Sequence, residues 1–437
     1  MINSDRILGA LILGGAADAL GWRNESWKPT SKRTHFVQQL EAWTKRIGRV
    51  GGYWEPVDAG EYSDDTQLTL AVARCVSPDG RYDADRFARV EFPYWLSYQR
   101  GGGRTIKKAA ASLREDPERT WDSNRFEGYE ASGANGAAMR VLALAVIEDV
   151  SDLTVAAWQN AITSHGHPRA IIGALVMAWG LARTLRTASF DPSEYVQALQ
   201  DFIRQLRLDL PNDRLQRWIR SMQRAGFAES FRSAQSEMVE FIKKIWLEIR
   251  RDDQHVLDML GCMSPATKGS GTATVAAGNY FFLKYHESPT TGIVNAANSY
   301  GADTDTIGKF AGNLLGALHG RSAYENALTE PVQDRTYFDR ISNCLSGAEP
   351  AHWNGDSRQE TTLTAKIKEG DTYHSRVLGF GEVARVVRPR SINRGENLLL
   401  GAKVVFECGQ SCYFTCSLPA KKRENGLNLS LGFSESE

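Results

Sequence analysis

Two short acidic clusters are the parts of this 437-residue chain best suited to chemistry. The first is Ser63-Asp64-Asp65-Thr66 and the second is Asp303-Thr304-Asp305-Thr306. Each brings two carboxylates and neighbouring hydroxyl groups into four residues. Carboxylates at this density repel one another near a buried surface, so a bound cation is the economical explanation. Because oxygen ligands are hard, we expect a hard metal, with magnesium the first choice.

Helix capping is the competing interpretation of these clusters. Both precede apolar runs rich in alanine or glycine that predict helices, so Ser63 or Asp64 would cap one helix and Asp305 or Thr306 the other. Capping accounts for one Asp or Thr per helix. It does not account for the pair of aspartates in each cluster, so we favour metal binding.

Three loops rich in small residues lie around and between the clusters. They cover residues 14–21, with Glu25 just beyond, then 132–140 and 163–168. Small residues let a ligand or another helix approach the backbone closely, and free N–H groups in such loops bind phosphate. Each stretch alone fits helix packing equally well, but the three together share a ligand-binding character.

The elements that must position these residues are predicted to be helices. Apolar residues recur at three- and four-residue spacing from Arg6 to about Gly320, and no strand pattern persists there, which predicts an all-α bundle of many helices. The more charged segment 186–258 predicts peripheral helices. Residues 22–60 lack periodicity, and either a mobile flap over a pocket or an ordinary packed loop explains them. The clearest helical segments are 67–76, 139–148, 169–185 and 306–318.

The residue pattern changes after Pro350, where alternating β-branched and aromatic residues predict four or five strands. We expect a helical domain over 1–345, a linker over 346–360 and a small β-rich domain over 361–437, built as a sandwich or barrel. The stretch 361–369 and the final ENGLNLSLGFSESE are both predicted as strands. Cys408, Cys412 and Cys416 would share one strand face, packed rather than holding zinc.

Composition excludes some classes of protein. The 52 basic and 52 acidic residues cancel, so the overall charge favours neither a polyanion nor a membrane surface. Six cysteines in a chain of this length do not form a disulfide framework, which agrees with a reducing compartment. With no uninterrupted apolar run of membrane-spanning length, we expect a cytoplasmic protein without a signal peptide and without a membrane partner.

Five motifs in order resemble those of the ADP-ribosylglycohydrolase family, from about residue 5 to residue 320. They are GGAADALGWRNE, EYSDDTQLTLA, GANGAAMRVLALA, ITSHGHPRAIIGAL and GADTDTIGKFAGNLLGALHG. The resemblance implies an all-α orthogonal bundle with two magnesium ions in a central cleft. By position, Ser63, Asp64 and Asp65 match one ligand set, and Asp303, Asp305 and Thr306 match the other.

The same resemblance implies the remaining site residues. Glu25 matches an acidic residue with gating or catalytic duties, and Asp65 and Asp303 would join it in catalysis. An ADP-ribose-binding loop is matched by Gly133, Asn135, Gly136 and Met139. His165 matches a histidine near the ligand, although a capping or packed histidine is the alternative. We expect Asp18 to anchor neighbouring loops and Arg140 to be a buried salt-bridge partner.

The function implied is a magnesium-dependent hydrolase that cleaves the N- or O-glycosidic bond at the distal ribose of an ADP-ribosylated target. That target is a protein or a nucleic acid, and the enzyme is expected to be a monomer. Two alternatives stay open: a catalytically silent ADP-ribose-binding protein, and a hydrolase of another ADP-ribose-like nucleotide compound.

Overall fold

The fold is mostly helical, with a small antiparallel sheet near the C-terminus. The structure, a computed structural model, describes residues 2–25, 36–47, 53–223, 226–350, 358–388 and 397–419. The helices are α1 Ser4–Asn24, α2 Asp64–Ala73, α3 Ala84–Arg86, α4 Phe92–Trp95, α5 Arg104–Glu115, α6 Val150–Ile162, α7 Pro168–Arg186, α8 Pro192–Gln205, α9 Asp213–Met222, α10 Phe227–Leu247, α11 Asp253–Met259, α12 Gly271–Lys284, α13 Pro289–Ala297, α14 Thr304–His319, α15 Arg321–Tyr324 and α16 Arg335–Leu345. The strands are β1 Trp43–Ile47, β2 Tyr53–Val57, β3 Thr372–Ser375, β4 Gly379–Val387, β5 Asn397–Phe406 and β6 Ser411–Pro419.

Helices α1 and α14 form the centre of the molecule and lie antiparallel, with their backbones in contact. A Cβ atom added to Gly9 would lie 2.5 Å from the Gly316 carbonyl oxygen, and one added to Gly312 would lie 2.6 Å from that of Leu13. At the end nearest the acidic clusters, a Cβ on Gly21 would lie 2.5 Å from the Asp305 Cα. Glycine at these points therefore allows the close approach that puts the end of α1 beside the start of α14.

Two segments of the helical region differ from the sequence prediction. Strands β1 and β2 pair antiparallel within the stretch that carried no periodicity, while residues 26–35 and 48–52 of that stretch lie outside the described residues. The helix predicted over 139–148 is instead a 3₁₀ turn over Leu142–Val146. Its residues are buried on all sides, so their apolar spacing carried no information about helix type. The charged segment does form peripheral helices, α8 to α11.

The C-terminal strands form one four-stranded antiparallel sheet in the order β3-β4-β5-β6. The predicted sandwich or barrel is wrong for the described residues, because the helical body covers the sheet where a second sheet would stand: Phe414 lies 6.1 Å from the ring of Tyr98. The strand predicted over 361–369 is irregular, and the predicted final strand lies outside the described residues. Cys412 and Cys416 do lie in β6, but Cys408 stands in the preceding turn.

None of the described helices combines the length and the apolar character needed to cross a membrane.

The contact between α1 and α14 predicts a position-dependent cost of adding one methyl group. We expect Gly312→Ala to lower the free energy of unfolding by about 2 kcal/mol, since the new Cβ meets the rigid backbone of α1. The matched control is Gly308→Ala in the same helix, where the nearest atom is 3.2 Å away. Its packing cost is smaller, and a helix-propensity gain of up to about 1 kcal/mol offsets it. Urea denaturation measures both, and equal losses would contradict the packing argument.

Candidate metal centre and cleft

Three carboxylates meet where α1 ends and α14 begins. Glu25 directly follows α1, while Asp303 precedes α14 and Asp305 lies in its first turn. One carboxylate oxygen of each residue lies within 4.8 Å of the other two. The expectation that Asp305 or Thr306 is the N-cap is wrong, because α14 begins at Thr304 and Asp303 takes the capping position. Within the described chain, Asp303 forms no side-chain capping bond, so capping does not explain this acidic group.

The first acidic cluster is held beside the second by Asp18 of α1. The Asp18 carboxylate accepts hydrogen bonds from the backbone N–H of Ser63 (3.1 Å) and Thr66 (3.1 Å) and from the Thr66 hydroxyl (2.6 Å). The Ser63 hydroxyl oxygen in turn accepts from the Asp65 N–H at 3.2 Å, which caps α2. Asp18 therefore fixes the start of α2, and Asp64 and Asp65 line the same cleft as the second cluster.

Burial and mutual repulsion raise the pKa values of these acids. Burial, followed by repulsion from Asp64, raises the pKa of Asp65 well above its ordinary value, and burial with repulsion from Glu25 and Asp303 does the same for Asp305. Burial raises the pKa of Asp64 to about 7. Glu25 is open to the cleft, yet the protein around it removes most of its hydration, so burial and then Asp303 raise its pKa as well. The centre therefore stores electrostatic repulsion that a cation would relieve.

One buried ammonium group approaches this centre from the protein side. Lys309 Nζ donates a hydrogen bond to the Thr66 hydroxyl at 2.9 Å and is 1 % exposed. Burial lowers the pKa of Lys309, while Asp18 and Asp65 act in the opposite direction. Its charge therefore acts mainly on the first cluster, while Lys45 and Lys268 act on Glu25 and lower its pKa without outweighing burial and Asp303.

The donor set fits a hard divalent cation. All its charged ligand atoms are carboxylate oxygens. The Asp65 Oδ2 atom is buried without a hydrogen-bond partner among the described residues. Other carboxylate oxygens are oriented by hydrogen bonds from the protein. Gly102 N–H donates to Asp64 Oδ1 at 2.6 Å, and the Asn135 side-chain amide donates to Asp303 Oδ2 at 2.8 Å. Such outer contacts hold ligands in a fixed orientation.

The acidic centre opens into a cleft of about 630 Å³, a volume typical of small-molecule sites. Besides the two acidic clusters, Glu25 and His165, its walls come from four parts of the chain: the β1–β2 hairpin, the loop into α5 with the first turn of that helix, the loop around Asn135, and strand β6. The lining residues outside the two clusters include Glu25, Lys45, Tyr53, Glu55, Arg100, Lys107, Asn135, Gly136, Met139, His165 and Thr415.

His165 lines this cleft, and its neighbours favour one protonation state of the ring. Its Nδ1 atom lies 2.8 Å from the Ser164 hydroxyl, and Arg140 donates to that same hydroxyl oxygen at 2.7 Å. Among the described residues the Ser164 hydroxyl proton has no acceptor other than Nδ1, so we assign the neutral ring a proton on Nε2. Burial, followed by the charge of Arg140, lowers the pKa of His165 to about 3. Nε2 has no partner among the described residues.

Arg140 differs from the expected salt-bridge partner. Its guanidinium is fully buried and donates to Asn160, to the Gly136 carbonyl oxygen and to Ser164, and no described carboxylate pairs with it. The rings of Phe87 and Phe92 each lie 5.2 Å away. Arg140 is thus a buried cation held by neutral acceptors, and it joins the Gly136 loop to the helix that precedes His165.

Two predicted site residues lie behind the cleft wall. Ser63 caps α2, and Gly133 accepts a backbone hydrogen bond from Gly271 at 2.8 Å. The structure also adds wall residues that the sequence reasoning missed, notably Lys45, Glu55, Arg100 and Thr415. One signal was available: three consecutive glycines, 101–103, precede the helical pattern of α5.

Comparison with known proteins agrees with this geometry. The chain matches the family model for ADP-ribosylglycohydrolase over residues 2–354. It is 27 % identical over 370 residues to the uncharacterized protein YegU of Escherichia coli (strain K12), covering 79 % of this chain and 97 % of YegU. It is 30 % identical over 167 residues to the ADP-ribosyl-[dinitrogen reductase] glycohydrolase of Rhodospirillum rubrum, covering 38 % of this chain and 52 % of that protein.

A solved structure described as an ADP-ribosylglycohydrolase-related protein complex has a similar fold. Its TM-score is 0.52 at 21 % identity, and the match covers 79 % of this chain and 98 % of that one. This likeness extends to the fold, whereas the family match rests on sequence over most of the chain. The chain belongs to the ADP-ribosylglycohydrolase family.

Proposed function

We propose that this protein is a metal-dependent hydrolase that removes ADP-ribose from a modified target by cleaving the glycosidic bond at the distal ribose. The observation that carries the proposal is the meeting of both acidic clusters and Glu25 in one cleft that also contains the Asn135 loop and His165. Membership of the family supports hydrolysis as the reaction class.

The metal of the proposal is magnesium, as two ions. Asp64 and Asp65 would hold one, and Asp303, Asp305 and Thr306 would hold the other, since these residues line the cleft together. When bound, such ions supply Lewis-acid polarisation and orient the sugar hydroxyls.

The remaining roles belong to side chains of the chain itself. Cleavage of a glycosidic bond passes through an oxocarbenium-like state, so one group must assist the leaving group while water attacks the anomeric carbon. Glu25 is open to the cleft and is our candidate for proton transfer or gating. Asn135 orients Asp303, and His165, which lines the cleft, is our candidate for a hydrogen bond from Nε2–H to the bound ligand.

Removing charge from the second cluster is expected to abolish activity without unfolding the protein. We predict that D303N/D305N lowers the rate of ADP-ribose release roughly a hundredfold or more. The same change relieves repulsion between buried carboxylates, so the melting temperature without metal should rise or stay constant. Glu127→Gln is the control, because that carboxylate is 95 % exposed. Undiminished, magnesium-independent release of ADP-ribose by the double variant would contradict the mechanism. If the wild-type protein binds ADP-ribose but hydrolyses no modified target, the alternative of a catalytically silent binding protein is favoured.

Magnesium binding is measurable without any substrate. A ligand that binds only the folded state stabilises it by about 2.7 kcal/mol at one hundred times its Kd, which is a rise of about 3 °C for a chain of this size. We expect Mg²⁺ to give such a rise in a thermal-shift assay, EDTA to reverse it, and D303N/D305N, which keeps only the Asp64 and Asp65 ligands, to show a smaller one. A rise of equal size in the variant would place the metal elsewhere.

The electrostatic state of His165 gives a prediction about pH. Its pKa is lowered from 6.5 to about 3, so the folded protein keeps the ring neutral where an unfolded chain protonates it. This difference contributes stability above pH 6.5 that is lost progressively as the pH falls towards 3. NMR of ¹⁵N-histidine-labelled protein, with His165→Gln for assignment, should detect the Nε2–H tautomer and no titration between about pH 5 and pH 8. A midpoint inside that range would contradict the buried neutral ring.

A further inference from the structure

The C-terminal sheet reaches the cleft directly. Thr415 of β6 lines the cleft beside the β1–β2 hairpin. Lys403 of β5 is the register partner of Tyr413, two residues before Thr415 on β6. This corner of the sheet therefore borders the cleft that contains the acidic centre.

A chain of charged groups connects this corner to the cleft wall. Lys403 Nζ lies 2.7 Å from Glu61 Oε1, and Arg100 donates to Glu61 Oε2 at 2.5 Å. Glu61 is 3 % exposed and Arg100 is 5 % exposed. Burial alone would raise the pKa of Glu61, yet Arg100 and Lys403 together lower it. Glu61 is thus a buried anion bound by Arg100 of the helical body and by Lys403 of the sheet, while Arg385 of β4 binds the neighbouring Asp58 at 2.8 Å.

Arg100 connects the sheet to the β1–β2 hairpin and to the acidic centre. It donates to the Pro56 carbonyl oxygen of β2 at 2.7 Å, and its guanidinium lies 4.6 Å from the ring centroid of Tyr413. Two residues further along, Gly102 N–H holds Asp64 Oδ1 at 2.6 Å. The position of the sheet is therefore linked through Arg100 to both the hairpin wall and a carboxylate of the centre.

Other contacts keep the sheet docked independently of Lys403. Arg74 donates to the Gln410 side chain at 2.7 Å, and Ser411 N–H donates to Asp334 at 2.9 Å. Arg340 donates to the carbonyl oxygens of Glu407 and Cys408. Replacing Lys403 should loosen the cleft side of the sheet while these contacts retain the fold. Deleting the whole sheet would instead uncover buried groups of the helical body.

We propose that the C-terminal sheet is a specificity-determining wall of the cleft, with Lys403 and Tyr413 as positioning residues for Arg100 and Thr415 as the direct contact. It acts on the group to which ADP-ribose is attached rather than on ADP-ribose itself. The loop around Asn135, which we assign to ADP-ribose, contacts Asp303. The loop 99–103, which the sheet holds through Arg100, contacts Asp64 through Gly102. This inference rests on the proposed function, since it assigns the second compartment of the same site.

The first test separates binding of ADP-ribose from use of the whole substrate. Wild type, Lys403→Gln, Lys403→Arg and the control Arg340→Gln are compared on peptides ADP-ribosylated on arginine or on serine. Losing a charge-assisted bond to a buried anion should lower kcat/KM about tenfold or more in Lys403→Gln, mainly through KM. Measured at saturating Mg²⁺, which keeps the proposed Asp64 site filled, the Kd of free ADP-ribose should stay within about twofold. Lys403→Arg should restore most of the loss, and Arg340→Gln should cause none.

A second variant tests the direct contact. Thr415→Trp narrows the cleft where the sheet borders it, so it should change the ratio of kcat/KM for the two peptides about tenfold while leaving the Kd of ADP-ribose unchanged. An equal loss on both peptides, or a matching loss of ADP-ribose affinity, would overturn the assignment of the sheet to the target group.

Hydrogen exchange keeps this inference separate from the proposed reaction. Lys403→Gln should speed amide exchange in residues 43–47, 53–57 and 99–103 by about fivefold or more, whereas Arg340→Gln should not. Absence of hydrolysis by the wild type would refute the proposed function. The exchange measurement would still test the positioning role, because it needs no activity. Unchanged exchange in Lys403→Gln, or equal changes in both variants, would refute the positioning role itself.

Discussion

The close antiparallel contact of α1 and α14 is the constraint on which the rest of the structure depends. Glycine at matching points of both helices removes the side chains that would hold the backbones apart. The end of α1 then carries Glu25 to the start of α14, where it meets Asp303 and Asp305. The same helix carries Asp18, which fixes α2 and its two aspartates. One helix pair thus determines the positions of both acidic clusters.

The carboxylates of the acidic centre destabilise the folded protein, and the same repulsion between them favours binding of a cation. Burial and mutual repulsion act in the same direction on Asp65 and Asp305. Hydrogen bonds from Gly102 and Asn135 orient the carboxylates without neutralising them, and Lys309 approaches only one side. The free energy gained by burying the surrounding apolar core must offset this repulsion. Binding of a cation would reduce the repulsion and so stabilise the folded state. Stability and the cation affinity that we propose for this centre are therefore linked.

The parts of the fold and the site that could be predicted from sequence are those with local signals. Acidic doublets before apolar runs, ordered motifs and helical periodicity led to α2, α7, α14 and to a mostly helical class. The hairpin β1–β2 lacked such a signal because each strand has only five residues and no regular alternation of polar and apolar side chains. The partners of Arg140 and the link from Lys403 to Arg100 depend on residues far apart in the chain, and no spacing rule predicts them. The packed sheet was misjudged as a sandwich because its second layer is the helical body.

The repeat of glycines along α1 and α14 raises a question of register. Since the contacts recur every four residues, sliding one helix by a full turn, about 5.4 Å, would bring small residues opposite one another again. Such a slip would carry Asp305 away from Glu25. Two polar groups distinguish the native alignment: the Thr304 hydroxyl donates to the Gly21 carbonyl oxygen at 2.8 Å, and the Asn313 side chain occupies the space that a Gly14 side chain would need. Two uncharged side chains that do not line the cleft, Thr304 and Asn313, thus favour the alignment that assembles the acidic centre.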